Sequence, residues 1–197
     1  MFNTTIATQI YAKICFEATN SQKKIIENLS EYLSDDDFSR IFVLNGFAGT
    51  GKTTLIAAVV AALKELRIKP VLLAPTGRAA KVLARYCGEQ ALTIHKRIYR
   101  QRTNADYESK FSLDFNREQG AVFIVDEASM LSDSTGDGAL FGSGSLLEDL
   151  VSYVRSGRGC RLILVGDSAQ LPPVGCDFSP ALDPATVSRY GEVVYGL

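Results

Sequence analysis

The sequence predicts an α/β fold in which helices cover both faces of a parallel β-sheet. Two observations lead to this prediction. Four short apolar runs are continuous rather than alternating, as is typical of strands buried on both faces of a parallel sheet. Segments with helical patterns separate these runs, and alternating strands and helices favour right-handed crossovers in one sheet. The runs are IFVLN (41–45), PVLLA (70–74), AVFIV (121–125) and RLILV (161–165).

The predicted helices lie before and between these strands. They cover about Ser21 to Leu33, Lys52 to Leu66, Gly77 to Tyr86 and Ser145 to Arg155. The polar segment 101–119 carries a short alternation of apolar residues and predicts an inserted hairpin or loop. The glycine-rich segment 136–145 predicts a mobile surface loop. The terminal YGEVVYGL (190–197) is interpreted as a strand that is cut short.

The length and the charge of the chain place only weak limits on its function. The chain has 197 residues, of which 46% are hydrophobic and 22% charged, which suits one domain with a sizeable core. The net charge of -1 gives no overall electrostatic argument for nucleic acid or membrane binding. However, residues 78–117 carry nine Lys/Arg and four Asp/Glu, whereas residues 121–197 carry four and ten. Two interpretations remain open: two solvated faces, or a polyanion-binding edge beside a metal-binding region.

The cysteines and the hydropathy suggest a location in the cytoplasm. No C-x-x-C spacing is present, so the thiols predict neither a zinc site nor a disulfide framework. No apolar run approaches the roughly 18 residues of a membrane span, and no signal peptide is indicated. The four cysteines are Cys15, Cys87, Cys160 and Cys176.

The segment GFAGTGKT (46–53) satisfies the motif G-x-x-x-x-G-K-[ST] between an apolar strand and a helix. Glycines let successive backbone N–H groups converge on phosphate oxygens, and the helix N-terminus adds partial positive charge. Lys52 would reach the β- and γ-phosphates, and the Thr53 hydroxyl would bind Mg²⁺. The alternative is a glycine-rich turn without a ligand. The motif favours a nucleoside triphosphate with Mg²⁺ as the ligands, held by Gly46, Ala48, Gly49, Thr50, Gly51, Lys52, Thr53 and Thr54.

The acidic pair in VDEAS (125–129) ends the third apolar run. A phosphate-loop site needs a carboxylate at a neighbouring strand end to hold Mg²⁺, and Asp126 fits this requirement. Glu127 would be the general base that activates the attacking water. The alternative is a solvated turn or a helix N-cap. The phosphate loop favours the hydrolytic interpretation and disfavours a nucleotide kinase, which needs no such base.

Five motifs in order resemble the first motor domain of superfamily 1 DNA helicases, most closely the RecD/TraA-like branch. They are GFAGTGKTT, LLAPTGRAAKVL, TIHK, IVDEASM and LVGDSAQLPPVG, and the resemblance covers Thr19 to about Leu182. It implies a P-loop NTPase with a RecA-like parallel sheet. It also implies ATP-driven translocation on single-stranded DNA in the 5′ to 3′ direction.

The resemblance also implies roles for individual residues. Gln170 would sense the γ-phosphate and act with Lys52, Asp126 and Glu127 in catalysis, while Asp167 orders its loop. Gln22 matches the family's adenine-contacting glutamine, although Thr19-x-x-Gln22 is also a capping box. The DNA-side residues are Pro75, Thr76, Gly77, Arg78, Thr93, His95 and Lys96, which would contact the DNA backbone rather than read bases.

Several of these assignments have structural alternatives that the sequence leaves open. Arg78, Lys81 and Arg85 have helical spacing and would suit one exposed helix face. His95 would equally well have a structural role, in which it caps a helix or packs against other side chains. The hairpin at 101–119 would be either a strand-separating pin or a solvated loop. Pro172 and Pro173 would form either a stiff lever toward the DNA or a rigid exit turn.

The family places ATP between two RecA-like domains, and nothing after the diproline turn resembles the second one. We therefore expect an N-terminal part of a longer helicase that is nearly inactive alone, since an arginine finger contributes on the order of 10³–10⁵ in rate. The expected partners are single-stranded DNA and a second motor domain in cis, with no membrane; the oligomeric state is not indicated. The alternatives are a stand-alone P-loop switch that binds proteins, or a small-molecule kinase.

Overall fold

The computed structural model describes residues 2–15, 17–103, 109–133 and 141–196. Six strands form one sheet in the order β3-β2-β6-β7-β1-β8, and every neighbouring pair is parallel. A separate antiparallel pair is formed by β4 and β5. The strands are β1 (Ile41–Asn45), β2 (Pro70–Ala74), β3 (Ala91–Thr93), β4 (Tyr99–Thr103), β5 (Ser109–Leu113), β6 (Val122–Val125), β7 (Arg161–Gly166) and β8 (Val193–Gly196).

Helices lie on both faces of the six-stranded sheet, so the predicted α/β fold is confirmed. Side chains of α1 to α4 share one core cluster with one face of the strands. Side chains of α5, α6 and α7 share the other cluster. The helices are α1 (Phe2–Lys13), α2 (Asn20–Ser34), α3 (Lys52–Glu65), α4 (Gly77–Cys87), α5 (Ile94–Ile98), α6 (Leu146–Ser156) and α7 (Pro184–Ser188).

The four predicted apolar runs are the four central strands, β2, β6, β7 and β1. Successive side chains of a strand point to opposite faces, so a strand between two helical layers needs apolar residues at every position. Thus Phe42 packs in the cluster with α1 to α4, whereas its neighbour Val43 packs in the other. Both side chains are fully buried.

Four elements were not predicted, namely α1, β3, α5 and α7. Helix α1 contributes Ile6 and Ile10, both fully buried, to the core cluster that contains α3. Strand β3 and the short helix α5 directly follow α4. At the other edge, β8 pairs in parallel with β1 over Ile41 to Leu44, so the terminal segment that was interpreted as a strand lies in the sheet.

The two predicted loop segments have different outcomes. Within 101–119, β4 and β5 pair from Tyr99↔Leu113 to Thr103↔Ser109, so the antiparallel pair begins two residues earlier than expected. Part of the glycine-rich segment, residues 136–140, lies outside the described residues.

The four cysteines are free. Among the described helices, none has the length and hydropathy that crossing a bilayer would require.

Candidate nucleotide-binding site

Three loops meet at the carboxyl edge of the sheet, because β6, β7 and β1 are adjacent and parallel. The glycine-rich loop follows β1, the acidic pair follows β6, and the segment with Gln170 follows β7. Together they enclose a cavity of about 490 Å³. The side chains that line it include Lys52, Thr53, Thr54, Asp126, Glu127, Asp167 and Gln170, together with Ala48, Gly49 and Gly51 of the loop.

The glycine-rich loop presents an uncapped helix start. Gly49 and Gly51 have φ angles of 81° and 86°, in the left-handed region that favours glycine. Gly51 precedes α3, and no side chain of the described residues caps that helix. In the described part of the chain, the N–H groups of residues 52–54 have no backbone acceptor. These donors and the helix dipole form an anion-binding site.

The Lys52 side chain lies over this loop in the structure. Its Nζ donates to the carbonyl oxygens of Gly46 and Phe47, the second at 2.9 Å. The ammonium group therefore lies at the mouth of the anion site and would exchange these carbonyls for phosphate oxygens.

Thr53 and Asp126 line the same cavity and fit a magnesium ion only if phosphate oxygens help to hold it. Among the described residues, no group of three or more His, Cys, Asp or Glu could hold a metal ion alone. Mg²⁺ is usually bound by one or two carboxylates together with water and substrate phosphates, so this sparse set fits. Burial raises the pKa of Asp126, an effect that nearby Lys52 partly offsets.

Glu127 has an unusual backbone conformation. Its φ angle of 55° lies in the left-handed region, which non-glycine residues rarely adopt. It precedes a 3₁₀ turn at Ala128–Met130, and its carbonyl accepts the Met130 N–H at 3.2 Å. Such conformations cost about 1–3 kcal/mol and cluster at functional sites.

Gln170 is linked to the acidic loop by a contact that the sequence did not predict. The hydroxyl of Ser129, which is fully buried, donates to Gln170 Oε1 at 3.3 Å. Asp167 is 4% exposed, and its carboxylate accepts the Ala169 N–H at 2.9 Å. Asp167 thus orders the loop that carries Gln170. The hydrogen bond between Ser129 and Gln170 joins this loop to the residues after β6.

A second unpredicted contact joins the ends of β1 and β7. Asn45 Nδ2 donates to Ser168 Oγ, and the Ser168 N–H donates to Asn45 Oδ1, both at 3.0 Å. Gly166 allows close approach here, since a Cβ would lie 2.8 Å from a Leu182 methyl group and 3.1 Å from the Ser129 backbone nitrogen. The only sequence signal for the contact between Asn45 and Ser168 was that a polar residue lies at or just after the end of each strand.

Val82 and Tyr86 of α4 also line the cavity without having been predicted.

Gln22 connects the start of α2 to the glycine-rich loop. Thr19 and Gln22 form the predicted capping box, in which Gln22 Oε1 accepts the Thr19 N–H at 3.0 Å. Gln22 Nε2 also donates to the Thr50 carbonyl at 3.3 Å. A cavity of about 530 Å³ adjoins this contact, and its lining includes the apolar side chains of Ile25 and Leu55.

The residues of the second motif lie beside the acidic pair. Thr76 caps α4 by accepting the Ala79 N–H at 3.2 Å. Arg78 is exposed and shares a cavity of about 350 Å³ with Glu127 and Gln170. Pro75 is half-buried, while Gly77, Lys81 and Arg85 are exposed.

The TIHK motif has a clear structural role. Thr93 caps α5 by accepting the Lys96 N–H at 3.3 Å, and Lys96 is exposed. The half-buried His95 ring packs on Phe141 and Tyr99, with centroid distances of 5.0 and 5.6 Å. This packing matches the structural alternative for His95, and burial lowers the pKa of the imidazole.

The diproline segment has no regular secondary structure. Pro172 and Pro173 are half-buried, whereas Leu171 and Val174 on either side are 88% and 102% exposed. The segment therefore leaves the carboxyl edge of the sheet as a turn with protruding apolar side chains.

A parallel sheet between two helical layers, with a glycine-rich loop and an acidic pair at its carboxyl edge, defines a P-loop NTPase domain. The chain belongs to the AAA_30 family, described as an AAA domain, whose model matches residues 17–177.

Helicases are among the most similar proteins of known sequence. The chain is 31% identical over 154 residues to the ATP-dependent RecD2 DNA helicase of Deinococcus radiodurans, covering 78% of this chain and 19% of that protein. It is 35% identical over 158 residues to the RecBCD enzyme subunit RecD of Mycobacterium tuberculosis, covering 68% and 24%. The chain thus spans about a fifth to a quarter of these relatives.

A solved structure supports the fold independently. The crystal structure of Pif1 helicase from Candida albicans superposes with a TM-score of 0.52 at 21% identity. The match covers 91% of this chain and 40% of that one. At this identity, the likeness concerns the RecA-like fold.

Proposed function

We propose that this domain binds and hydrolyses Mg-ATP as the first motor domain of a RecD-like DNA helicase. The observation that carries the proposal is the convergence of Lys52, Asp126, Glu127 and Gln170 on one cavity at the carboxyl edge of the sheet. A site that only binds nucleotide has no need of both a general base and a sensor beside the phosphates.

In this proposal the loop N–H groups and Lys52 bind the triphosphate, and Gln22 lies on the adenine side. Thr53 and Asp126 hold Mg²⁺, which when bound neutralises charge on the phosphates. Glu127 accepts the proton of the attacking water. Gln170 detects the γ-phosphate and transmits its loss to the Ser129 hydroxyl, its hydrogen-bond partner.

The proposed DNA partner is a single strand that crosses the start of α4 and the TIHK motif. The cavity that Arg78 shares with Glu127 supports this, since a backbone phosphate at Arg78 would lie beside the hydrolytic residues. For the intact protein we propose 5′ to 3′ translocation with a second RecA-like domain across the ATP, and a cytoplasmic location. The hairpin formed by β4 and β5 is proposed as the strand-separating pin.

Nucleotide binding with three matched variants tests the proposal. Binding of a fluorescent ATP analogue should require Mg²⁺ and should weaken at least tenfold in Lys52→Ala. Glu127→Gln should bind normally but lose the residual hydrolysis that the wild-type chain shows. Lys64→Ala, at the exposed end of the same helix, is the charge control and should behave as wild type. Equal binding by wild type and Lys52→Ala would refute the assignment. Tight binding that single-stranded DNA does not affect would favour a protein-binding switch instead.

A further inference from the structure

A second polar cavity lies away from the nucleotide site, at the amino ends of the strands. It has a volume of about 420 Å³. Glu118, in its wall, precedes β6, whose other end carries Asp126. Arg100 on β4 and Asp114 just after β5 place the cavity at the base of the hairpin. The remaining lining residues are Arg97, Phe115, Arg117 and Tyr153.

Positive charge exceeds negative charge around this cavity. Glu118 forms ion pairs with Lys69 at 2.8 Å and Arg97 at 2.7 Å. Asp114 pairs with Arg100 at 2.9 Å. Arg117 is exposed and has no ion pair among the residues that the structure describes. Among the described residues, the two carboxylates therefore face four cations: Lys69, Arg97, Arg100 and Arg117.

Two further features indicate a ligand rather than a solvated cluster of ion pairs. The Nε of Arg97 is buried and has no hydrogen-bond partner within the described ranges, although buried polar groups are normally satisfied. In addition, the Phe115 side chain is 64% exposed at the rim, between Asp114 and the buried Asn116. An exposed aromatic ring beside an arginine that has no ion pair among the described residues suits single-stranded nucleic acid, because the ring stacks on bases and the arginine pairs with phosphates.

We infer that this cavity is a second binding site for single-stranded DNA, in which Arg117 binds a backbone phosphate and Phe115 stacks on a base. The inference rests on the proposed helicase function and extends it to the opposite edge of the sheet. The site lies at the base of the hairpin, so a strand held there would be separate from one at Arg78. An acidic peptide would satisfy the arginines but would leave Phe115 without a role.

Fluorescence anisotropy with a labelled thymidine oligonucleotide tests the inference on the whole chain. Phe115→Ala should weaken binding at least about fivefold, as loss of a stacking ring does, whereas Phe115→Tyr should keep wild-type affinity. Arg117→Ala should weaken binding and reduce the slope of log affinity against log salt by about 0.7, the value for one single-strand phosphate contact. Lys24→Ala removes one exposed charge elsewhere and is the matched control.

The outcomes separate this site from the proposed function. If the wild type binds the oligonucleotide but Phe115→Ala and Arg117→Ala bind equally well, the second site is refuted and the helicase proposal stands. If the wild type does not bind DNA, the DNA part of the proposed function fails, and the inference fails with it. Competition by polyglutamate with no effect of Phe115→Ala would also overturn the inference, since it would identify a site for acidic peptides.

Discussion

Replacement of Gln22 by alanine tests how the glycine-rich loop is ordered. The change removes the 3.3 Å hydrogen bond from Nε2 to the Thr50 carbonyl and the bond that Oε1 accepts from the Thr19 N–H. A hydrogen bond of this kind contributes about 0.5–1.5 kcal/mol net. If the whole contribution serves to order the loop for phosphate, ATP should bind about 2- to 13-fold more weakly. Isothermal titration with Mg-ATP measures this directly.

Thr19→Ala is the matched control, because it removes the cap from α2 but keeps the contact between Gln22 and Thr50. Loss of such a cap costs about 1 kcal/mol, equivalent to about 2–4 °C in Tm for a chain of this length. Thr19→Ala should therefore lower Tm without lowering ATP affinity. The argument is refuted if Gln22→Ala binds ATP as wild type does, or if Thr19→Ala loses as much affinity. Titration with GTP distinguishes the two roles of Gln22: loop ordering weakens both nucleotides equally, whereas an adenine contact weakens only ATP.

Three further predictions concern stability, pH and coupling. Tyr99→Phe removes a 2.6 Å hydrogen bond to the carboxylate of Asp149, which is 5% exposed; it should cost about 1.5–3 kcal/mol in urea unfolding, and a loss below 0.5 kcal/mol would contradict it. Burial alone would raise the pKa of Glu118, but its two cationic partners outweigh this and lower it. The folded pKa is thus below the unfolded value of about 4.3, so the stabilisation is present above that pH and is lost as pH falls through the folded pKa. Glu118→Gln should flatten the acid limb of the stability curve, and an unchanged limb would count against these ion pairs. Gln170→Ala should leave ATP binding intact in the full-length helicase but uncouple hydrolysis from unwinding, and normal unwinding would disprove the coupling role.

The central strands were predictable from continuous apolar runs, whereas β3 was missed and β8 was interpreted only as a strand that is cut short. A strand covered on both faces needs continuous apolar residues, and β1, β2, β6 and β7 show this pattern. Strand β3 has only three residues, all half-buried, and β8 is half-buried along most of its length. Strand β3 therefore carries no apolar run that differs from a loop, and β8 carries only a short one. In α1, burial is confined to Ile6 and Ile10 among the residues whose side chains are described, which is too sparse a pattern to indicate a helix.

The candidate site was likewise only partly predictable. Residues in local motifs were predicted, whereas contacts between distant segments were not. The motifs predicted that Lys52, Asp126 and Glu127 share a cavity, because each lies after the carboxyl end of a strand in the same parallel sheet. The contact between Ser129 and Gln170 joins residues 41 positions apart. No local pattern encodes such a contact. The packing of His95 on Phe141 likewise depends on how a distant segment folds back.

Both ends of β6 carry departures from ideal structure. At its carboxyl end, Glu127 has a left-handed backbone, and burial raises the pKa of Asp126. At its amino end, the Arg97 Nε is buried without a hydrogen-bond partner in the described part of the chain, and Phe115 is exposed. Between them, all four residues of the strand are buried and apolar. Proteins tolerate local inconsistency chiefly where function requires it. The first set lines the candidate nucleotide-binding site, and by the same reasoning we infer that the second set also serves a ligand.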